Sequence, residues 1–215
     1  MHISIREPGS AITHFVAMIL AMGSAIPLLM KASEFGTLSV TAMFIFITSM
    51  VLLYGASATY HSVNVAPHII KIFRKIDHMM IFIMIAGSYT PVCLLVLDKH
   101  TGSRMLLCVW SVALFGILIK ALWITCPKWF SSILYIGMGW ICISAIKPII
   151  HILSLPAFMW LLAGGLLYTV GGVIYALKLK VFNEKHVNFG SHEIFHLFIM
   201  AGSFCHFIFM YQYVI

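Results

Sequence analysis

Seven long apolar stretches divide the chain, and they constrain its fold more than any other feature. Cutting at charges, prolines and polar clusters places them at about residues 11–30, 38–60, 77–97, 105–125, 131–147, 157–177 and 191–214. A helix needs about 20 apolar residues to cross the hydrocarbon core of a bilayer. The stretches therefore predict seven transmembrane helices joined by short loops, in a single domain that covers residues 1–215.

The composition excludes the soluble classes of protein. Hydrophobic residues make up 62% and charged residues 9% of the 215 residues, whereas a soluble domain is roughly half apolar and a quarter charged. One core cannot bury so much apolar surface, so lipid must surround the chain. We predict an all-α integral membrane protein, a bundle of seven helices with membrane lipids as its partners.

The basic residues predict how the bundle is oriented. The formal net charge is +7, but the sequence shows no pattern typical of a nucleic-acid-binding fold. We therefore predict no nucleic-acid partner. With the N-terminus inside, the cytoplasmic basic residues are Arg6, Lys71, Arg74, Lys75, Lys120, Lys128, Lys178, Lys180 and Lys185. The outer ones are Lys31, Lys99, Arg104 and Lys147. Cytoplasmic loops carry the excess of Lys and Arg, which predicts a cytoplasmic N-terminus and an external C-terminus. Lys120, just inside the fourth stretch, is expected to snorkel to the interface.

Polar residues from three of the predicted helices share one depth in this topology. The second helix ends in "GASATYHS", which contains Ser57 and His61. The third begins with "KIDHMM" and Asp77, and the seventh begins with "SHEIFH", which contains His192 and His196. Ionisable residues within a span are costly and mark functional sites. We therefore predict that these side chains meet near the inner leaflet.

Helical spacing indicates a metal site in this layer. His192 and His196 are one turn apart on the same face, about 6 Å along the axis, close enough to bind one ion. Together with His61 they would leave a fourth tetrahedral position open, which is typical of catalytic zinc. His206 lies about 15 Å deeper and cannot reach the same ion. We predict Zn²⁺ as the cofactor, with His61, His192 and His196 as its ligands.

Each of these residues also has an ordinary explanation. A lone histidine such as His61 is more often a hydrogen-bonding residue, and a carboxylate such as Asp77 or Glu193 is favourable at a helix start. For Glu193 we prefer the explanation that its carboxylate stabilises the start of the helix. The pattern His-Glu-x-x-His at 192–196 also has the form of a metallopeptidase motif. However, Asp98 lies at the opposite face and no other aspartate has a peptidase-like setting, so a three-histidine site is favoured.

The motifs resemble those of the bacterial hemolysin III family, within the progestin and adipoQ receptor superfamily, with alkaline ceramidases as distant relatives. "SATYHS", "KIDHMMIFIMIAGSYTPV", "MGW" and "HEIFHLFIMAGSFCHF" carry the resemblance, which covers nearly the whole chain. It implies a seven-helix protein of the bacterial inner membrane with zinc near the cytoplasmic face, held by His61, His192 and His196. It also implies that Asp77 holds the zinc-bound water and that Ser57 lines the site.

Several functions fit such a site. Zinc with an open position acidifies water and polarises a carbonyl, with Asp77 as general base and Ser57 as a hydrogen-bond donor. The first hypothesis is a zinc-dependent hydrolase of lipid amides or esters that enter from the bilayer. The alternative is a non-enzymatic membrane-homeostasis or receptor-like protein with structural zinc. A pore-forming hemolysin that causes cytolysis and a zinc transporter are further alternatives. The sequence identifies neither a substrate nor an oligomeric state.

Overall fold

The computed structural model describes residues 5–177 and 189–215, and the regular elements in these ranges are helical. The helices are α1 (Pro8–Ser33), α2 (Thr37–Ser62), α3 (Pro67–Pro91), α4 (Lys99–Leu122), α5 (Lys128–Gly139), α6 (Ile146–Ile152), α7 (Leu155–Leu177) and α8 (Ser191–Phe209). Five-residue π-helical segments extend α3 to Val96 and α8 to Val214, and a 3₁₀ segment, Trp140–Ala145, joins α5 to α6.

Within these described ranges, seven helical segments are long and apolar enough to cross a membrane. This confirms the predicted all-α, multi-pass membrane protein, in which α5, the 3₁₀ segment and α6 form one span, Lys128–Ile152. The side of the membrane on which each terminus lies stays a prediction, as does the single domain over 1–215. Lys178, Lys180 and Lys185, which enter the charge count, lie outside the described residues.

The helices extend beyond several of the predicted apolar stretches. α3 begins at Pro67 instead of near residue 77, because proline is favourable in a first turn and the basic residues that follow do not interrupt the helix. The fifth span likewise continues through Lys147 to Ile152. Ending each predicted helix at a charged residue makes it too short. Lys and Arg residues can remain within a helix while the ends of their long side chains reach the interface.

The packing order places the polar residues at one end of the bundle. α1 packs against α2 and α8, α2 against α3, α3 against α4, and α7 against both α5 and α8. Because successive spans alternate in direction, the end of α2 and the starts of α3 and α8 lie at the same end. Large apolar side chains such as Leu107 and Leu122 are exposed on the outer surface, as expected where lipid replaces water.

Lys120 does not snorkel, so that prediction was wrong. Its side chain is 1% exposed. The ammonium donates to Ser131 Oγ at 2.5 Å and to Cys126 Sγ at 3.1 Å. The start of α5 and the loop before it therefore supply partners within the protein, which is how charged groups persist in a span.

Gly102 permits the close approach of α4 to the end of α3. A Cβ added at Gly102 would lie 2.0 Å from the carbonyl oxygen of Cys93, and backbone cannot turn aside as a flexible side chain can. We expect Gly102→Ala to lower the free energy of unfolding by roughly 1–3 kcal/mol, measured as a lower Tm in detergent. Gly23→Ala is the matched control, because a Cβ there has no neighbour within 4 Å. Equal Tm values for the two variants would contradict this expectation.

Candidate metal centre

Three histidines from two helices form a buried cluster. One ring nitrogen each from His61, His192 and His196 lies within 4.8 Å of the other two. His61 Nε2 and His192 Nε2 are 3.3 Å apart. His61 and His196 are 2% and 1% exposed. The residues predicted as ligands are thus brought together, although α2 and α8 are separated by most of the chain.

The geometry of the cluster fits a metal ion. Two nitrogens bound at about 2.0–2.1 Å to a tetrahedral ion lie about 3.3–3.4 Å apart, and the distance between His61 Nε2 and His192 Nε2 matches this value. Two facing imidazole nitrogens share at most one proton, whereas a cation satisfies both lone pairs. The cluster can therefore hold a metal ion, and the assignment of that ion as zinc stays a prediction.

Two residues of the N-terminal region bind the outer nitrogens of the cluster. The Glu7 carboxylate accepts a hydrogen bond from His61 Nδ1, and Thr13 Oγ1 lies 3.1 Å from His196 Nδ1. The Thr13 hydroxyl donates to backbone carbonyls one turn earlier, so it accepts from His196. Protons at Nδ1 leave the Nε2 lone pairs for an ion, the usual arrangement of metal-bound histidines.

The contact between Glu7 and His61 also favours the ionised form of Glu7. The hydrogen bond from His61 lowers the pKa of Glu7 to about 2, although burial acts in the opposite direction. The carboxylate is therefore ionised at neutral pH. The backbone N–H of Glu7 donates to the His61 carbonyl at 3.0 Å, which fixes the segment before α1 against the end of α2.

His14 packs directly on the cluster. The rings of His14 and His196 stack with centroids 3.5 Å apart and planes at 7°. His14 is buried, and neither of its ring nitrogens has a hydrogen-bond partner among the described residues. The stack restricts rotation of the His196 ring, so α1 positions this ring both through its Nδ1 and across its face.

Ser57 and Asp77 lie beside the histidines and are both buried. The Ser57 hydroxyl is a hydrogen-bond partner of the Asp77 carboxyl. Asp77 Oδ2 is also 4.0 Å from His78 Nε2. A carboxylate and a hydroxyl thus adjoin the cluster, and their catalytic roles stay predictions.

Glu193 is engaged at the start of α8. Its Oε2 accepts a hydrogen bond from the Gly190 N–H at 2.7 Å, and its Oε1 accepts one from the Ser10 hydroxyl of α1. A carboxylate that satisfies the first backbone N–H groups of a helix is a capping residue. This supports the helix-start explanation for Glu193 over a role as peptidase base.

Two cavities meet at the cluster. The first is mostly apolar and extends from His196 to Met105 and Ile149, near the other end of the bundle. The second is polar and is lined by basic and acidic side chains that include Arg74 and Glu7. Both cavities are lined by Asp77, His78, Tyr175 and His192. The cluster and its neighbours therefore lie where an apolar space adjoins a polar one.

Comparison with known proteins decides the family. The profile of the family described as haemolysin-III related matches residues 3–207. The chain belongs to the haemolysin-III family. It is 38% identical over 211 residues to hemolysin-3 from Bacillus cereus, an alignment that covers 98% of this chain and 92% of that protein. It is 35% identical over 199 residues to the hemolysin-3 homolog of Bacillus subtilis (strain 168), covering 92% and 89%.

The relationship of this haemolysin-III protein extends to animal receptors. It is 26% identical over 224 aligned positions to the adiponectin receptor protein of Drosophila melanogaster, covering 94% of this chain and 49% of the receptor. The resemblance predicted from the motifs is thus confirmed. The chain corresponds to about half the length of that receptor.

The carboxylate of Glu7 gives a test of the outer contacts in this haemolysin-III protein. We expect Glu7→Gln to weaken metal binding about 10–100-fold, as loss of an outer partner of a ligand histidine typically does. The affinity is measured by competition with a chromophoric chelator. Glu34→Gln is the matched control, because Glu34 is exposed just beyond the far end of α1. An unchanged affinity in Glu7→Gln would mean that His61 needs no such partner.

Proposed function

We propose that this protein is a zinc-dependent hydrolase of amide or ester bonds in membrane lipids. The observation that carries the proposal is the position of the three-histidine cluster where an apolar cavity meets a polar one. We place the acyl chain of a lipid in the apolar cavity and its headgroup in the polar one. The bond that links the acyl chain to the headgroup then lies beside the cluster. Amide and ester bonds are the linkages found at that point of a lipid.

The apolar cavity suits an acyl chain in both direction and chemistry. Its lining includes Ile81, Met84, Leu161 and Ile199, whose side chains offer apolar surface. The cavity runs roughly along the helices, so a chain that follows it lies parallel to the chains of the surrounding bilayer. A lipid therefore exchanges one apolar environment for another and keeps its headgroup near the interface.

Each residue of the site has its own role in the proposed reaction. His61, His192 and His196 would hold zinc, which when bound supplies a Lewis acid and lowers the pKa of water. The Asp77 carboxylate orients the attacking water and accepts its proton. The Ser57 hydroxyl donates a hydrogen bond to the substrate oxygen on which negative charge develops. Burial keeps bulk water from competing for these groups.

We further propose that the cluster lies at the cytoplasmic face. Several described basic residues surround this end of the bundle, among them Arg6, Arg74, Lys75 and Lys128, and the polar cavity contains two of them. At the other end are four described basic residues, Lys31, Lys99, Arg104 and Lys147, against six at the cluster end, Arg6, Lys71, Arg74, Lys75, Lys120 and Lys128. An excess of positive charge around the cluster supports this orientation.

Zinc analysis and a lipid-hydrolysis assay on the same purified sample test the proposal. We expect about one zinc per chain and release of free fatty acid from at least one ceramide-like amide or ester lipid. Removal of zinc by a chelator should stop the release, and added zinc should restore it. Zinc-loaded protein that hydrolyses none of a broad panel of lipid amides and esters would contradict it.

A structural or receptor-like role for the same centre is the alternative, and one observation favours it. The cluster joins α2 to α8, and Glu7 and Thr13 join both helices to the N-terminal region. An ion there would fasten three parts of the bundle. Loss of thermal stability on chelation, in a protein without measurable turnover, would favour this role.

The names of the Bacillus relatives raise lysis of target membranes as a third role. Seven apolar spans make the chain poorly suited to release into water as a toxin. Lysis by the purified protein that persists after loss of His61, His192 and His196 would support this role and separate it from the metal centre.

A further inference from the structure

His206 is a buried polar residue that the chemistry above does not use. It lies on α8 about 15 Å beyond His196, and its side chain is 8% exposed. The ring lines the apolar cavity. Neither of its two nitrogens has a hydrogen-bond partner among the described residues. A strongly polar group therefore faces an otherwise apolar space, far from the cluster.

Packing alone positions the His206 ring. It stacks on the Tyr168 ring of α7, with centroids 5.2 Å apart and planes at 15°. Gly164 on the same helix makes room for it, since a Cβ added there would lie 2.6 Å from His206 Nε2. The ring is thus held in place without any use of its donor or acceptor.

Other polar side chains that line this remote part of the cavity have partners. The Tyr89 hydroxyl donates to the Gly139 carbonyl at 2.5 Å, and Thr169 Oγ1 accepts from Trp140 Nε1 at 3.0 Å. Tyr168 pairs with Ser203 at 2.9 Å. The lining residues with unpartnered polar atoms other than His206 lie at the cluster end of the described bundle: His14, His78, Ser132 and His192. Among the described residues that line the remote part, His206 therefore differs in that its polar atoms have no partner.

We infer that the cavity binds a lipid whose chain carries a second polar group, a hydroxyl or a carbonyl, at the depth of His206. This inference rests on the proposed function, because it assumes that an acyl chain occupies the apolar cavity. A hydroxyl can donate to one imidazole nitrogen or accept from the other. A buried site built to form such a bond rejects a ligand that lacks the partner. The substrate class is therefore an oxygenated fatty-acyl lipid.

The test compares the binding of three free fatty acids, the product class, to the full-length zinc-loaded protein. One is saturated and unsubstituted, the second is hydroxylated at mid-chain, and the third is hydroxylated next to the carboxyl group. Each competes with a fluorescent fatty acid. We expect the mid-chain hydroxy acid to bind about tenfold more tightly than the other two, the effect of one additional buried hydrogen bond.

Two substitutions separate hydrogen bonding from packing. His206→Phe keeps a ring to stack on Tyr168, and we expect it to bind the three acids equally. His206→Gln keeps a donor and an acceptor, and we expect it to retain part of the preference. The measured quantity is the ratio of affinities for the different acids. A general loss of folded protein lowers binding of all three acids and leaves this ratio unchanged.

The outcomes also separate this inference from the proposed function. If the wild type binds none of the three acids, the lipid-binding cavity and the inference fail together. If it binds all three with equal affinity, or if the preference survives in His206→Phe, the inference is overturned and the proposed hydrolase stands.

Discussion

Replacing His61 with alanine is expected to reduce bound zinc from about one ion per chain to less than about a tenth of that amount, because only two protein ligands remain. His196→Ala should have the same effect from the other helix. The Glu7 carboxylate, which contacts His61 Nδ1, cannot replace the lost ring, since it lies on the outer side of that ring. Elemental analysis of protein purified in detergent measures the loss.

His151→Ala is the matched control for this result. His151 is exposed and lies on α6, away from the cluster, so its variant should retain zinc. Thermal unfolding with and without a chelator adds a second measurement, because only proteins that bind the ion should respond. Full zinc content in both His61→Ala and His196→Ala would exclude the cluster as the site.

Asp77→Asn is expected to keep zinc and to lower lipid hydrolysis about 10²–10⁴-fold, the usual contribution of a general base. Asparagine preserves the size of the buried side chain and can still accept a hydrogen bond through its amide oxygen. It cannot take up the proton of the attacking water at neutral pH. Fatty acid released per zinc-loaded chain measures the effect and separates chemistry from metal loss.

Asp98→Asn is the control for this second substitution. Asp98 caps α4 at the opposite end of the bundle, where its carboxylate accepts from the His100 and Thr101 N–H groups at 3.1 and 3.0 Å. Its variant should hydrolyse lipids at the wild-type rate. Full activity in zinc-loaded Asp77→Asn would remove Asp77 from the reaction.

The spans and the proximity of the three histidines could be predicted from the sequence because each follows from a simple length or period. Membrane thickness sets the number of apolar residues per helix. One helical turn places His192 and His196 on the same face, and alternation of the spans brings His61 to their level. The helix ends were harder to predict, since α3 continues through basic residues back to Pro67.

The surroundings of the cluster could not be predicted, because they depend on how the helices pack. Glu7 is 54 residues from His61, and Thr13 is 183 residues from His196, so no local pattern links them. The contact of His14 with His196 has the same origin. Lys120 is buried because α5 and the preceding loop cover it. The sequence of α4 alone does not indicate this burial.

The link between the first and last spans has a consequence for biosynthesis. His192 and His196 belong to the seventh span, and Thr13 and His14, which contact His196, belong to the first. While the ribosome is still extending the chain, a nascent bundle of six spans offers an ion one histidine of the three. An ion held by all three histidines can therefore be captured only after the seventh span has been inserted, so such an ion would mark a bundle in which all seven spans are in place.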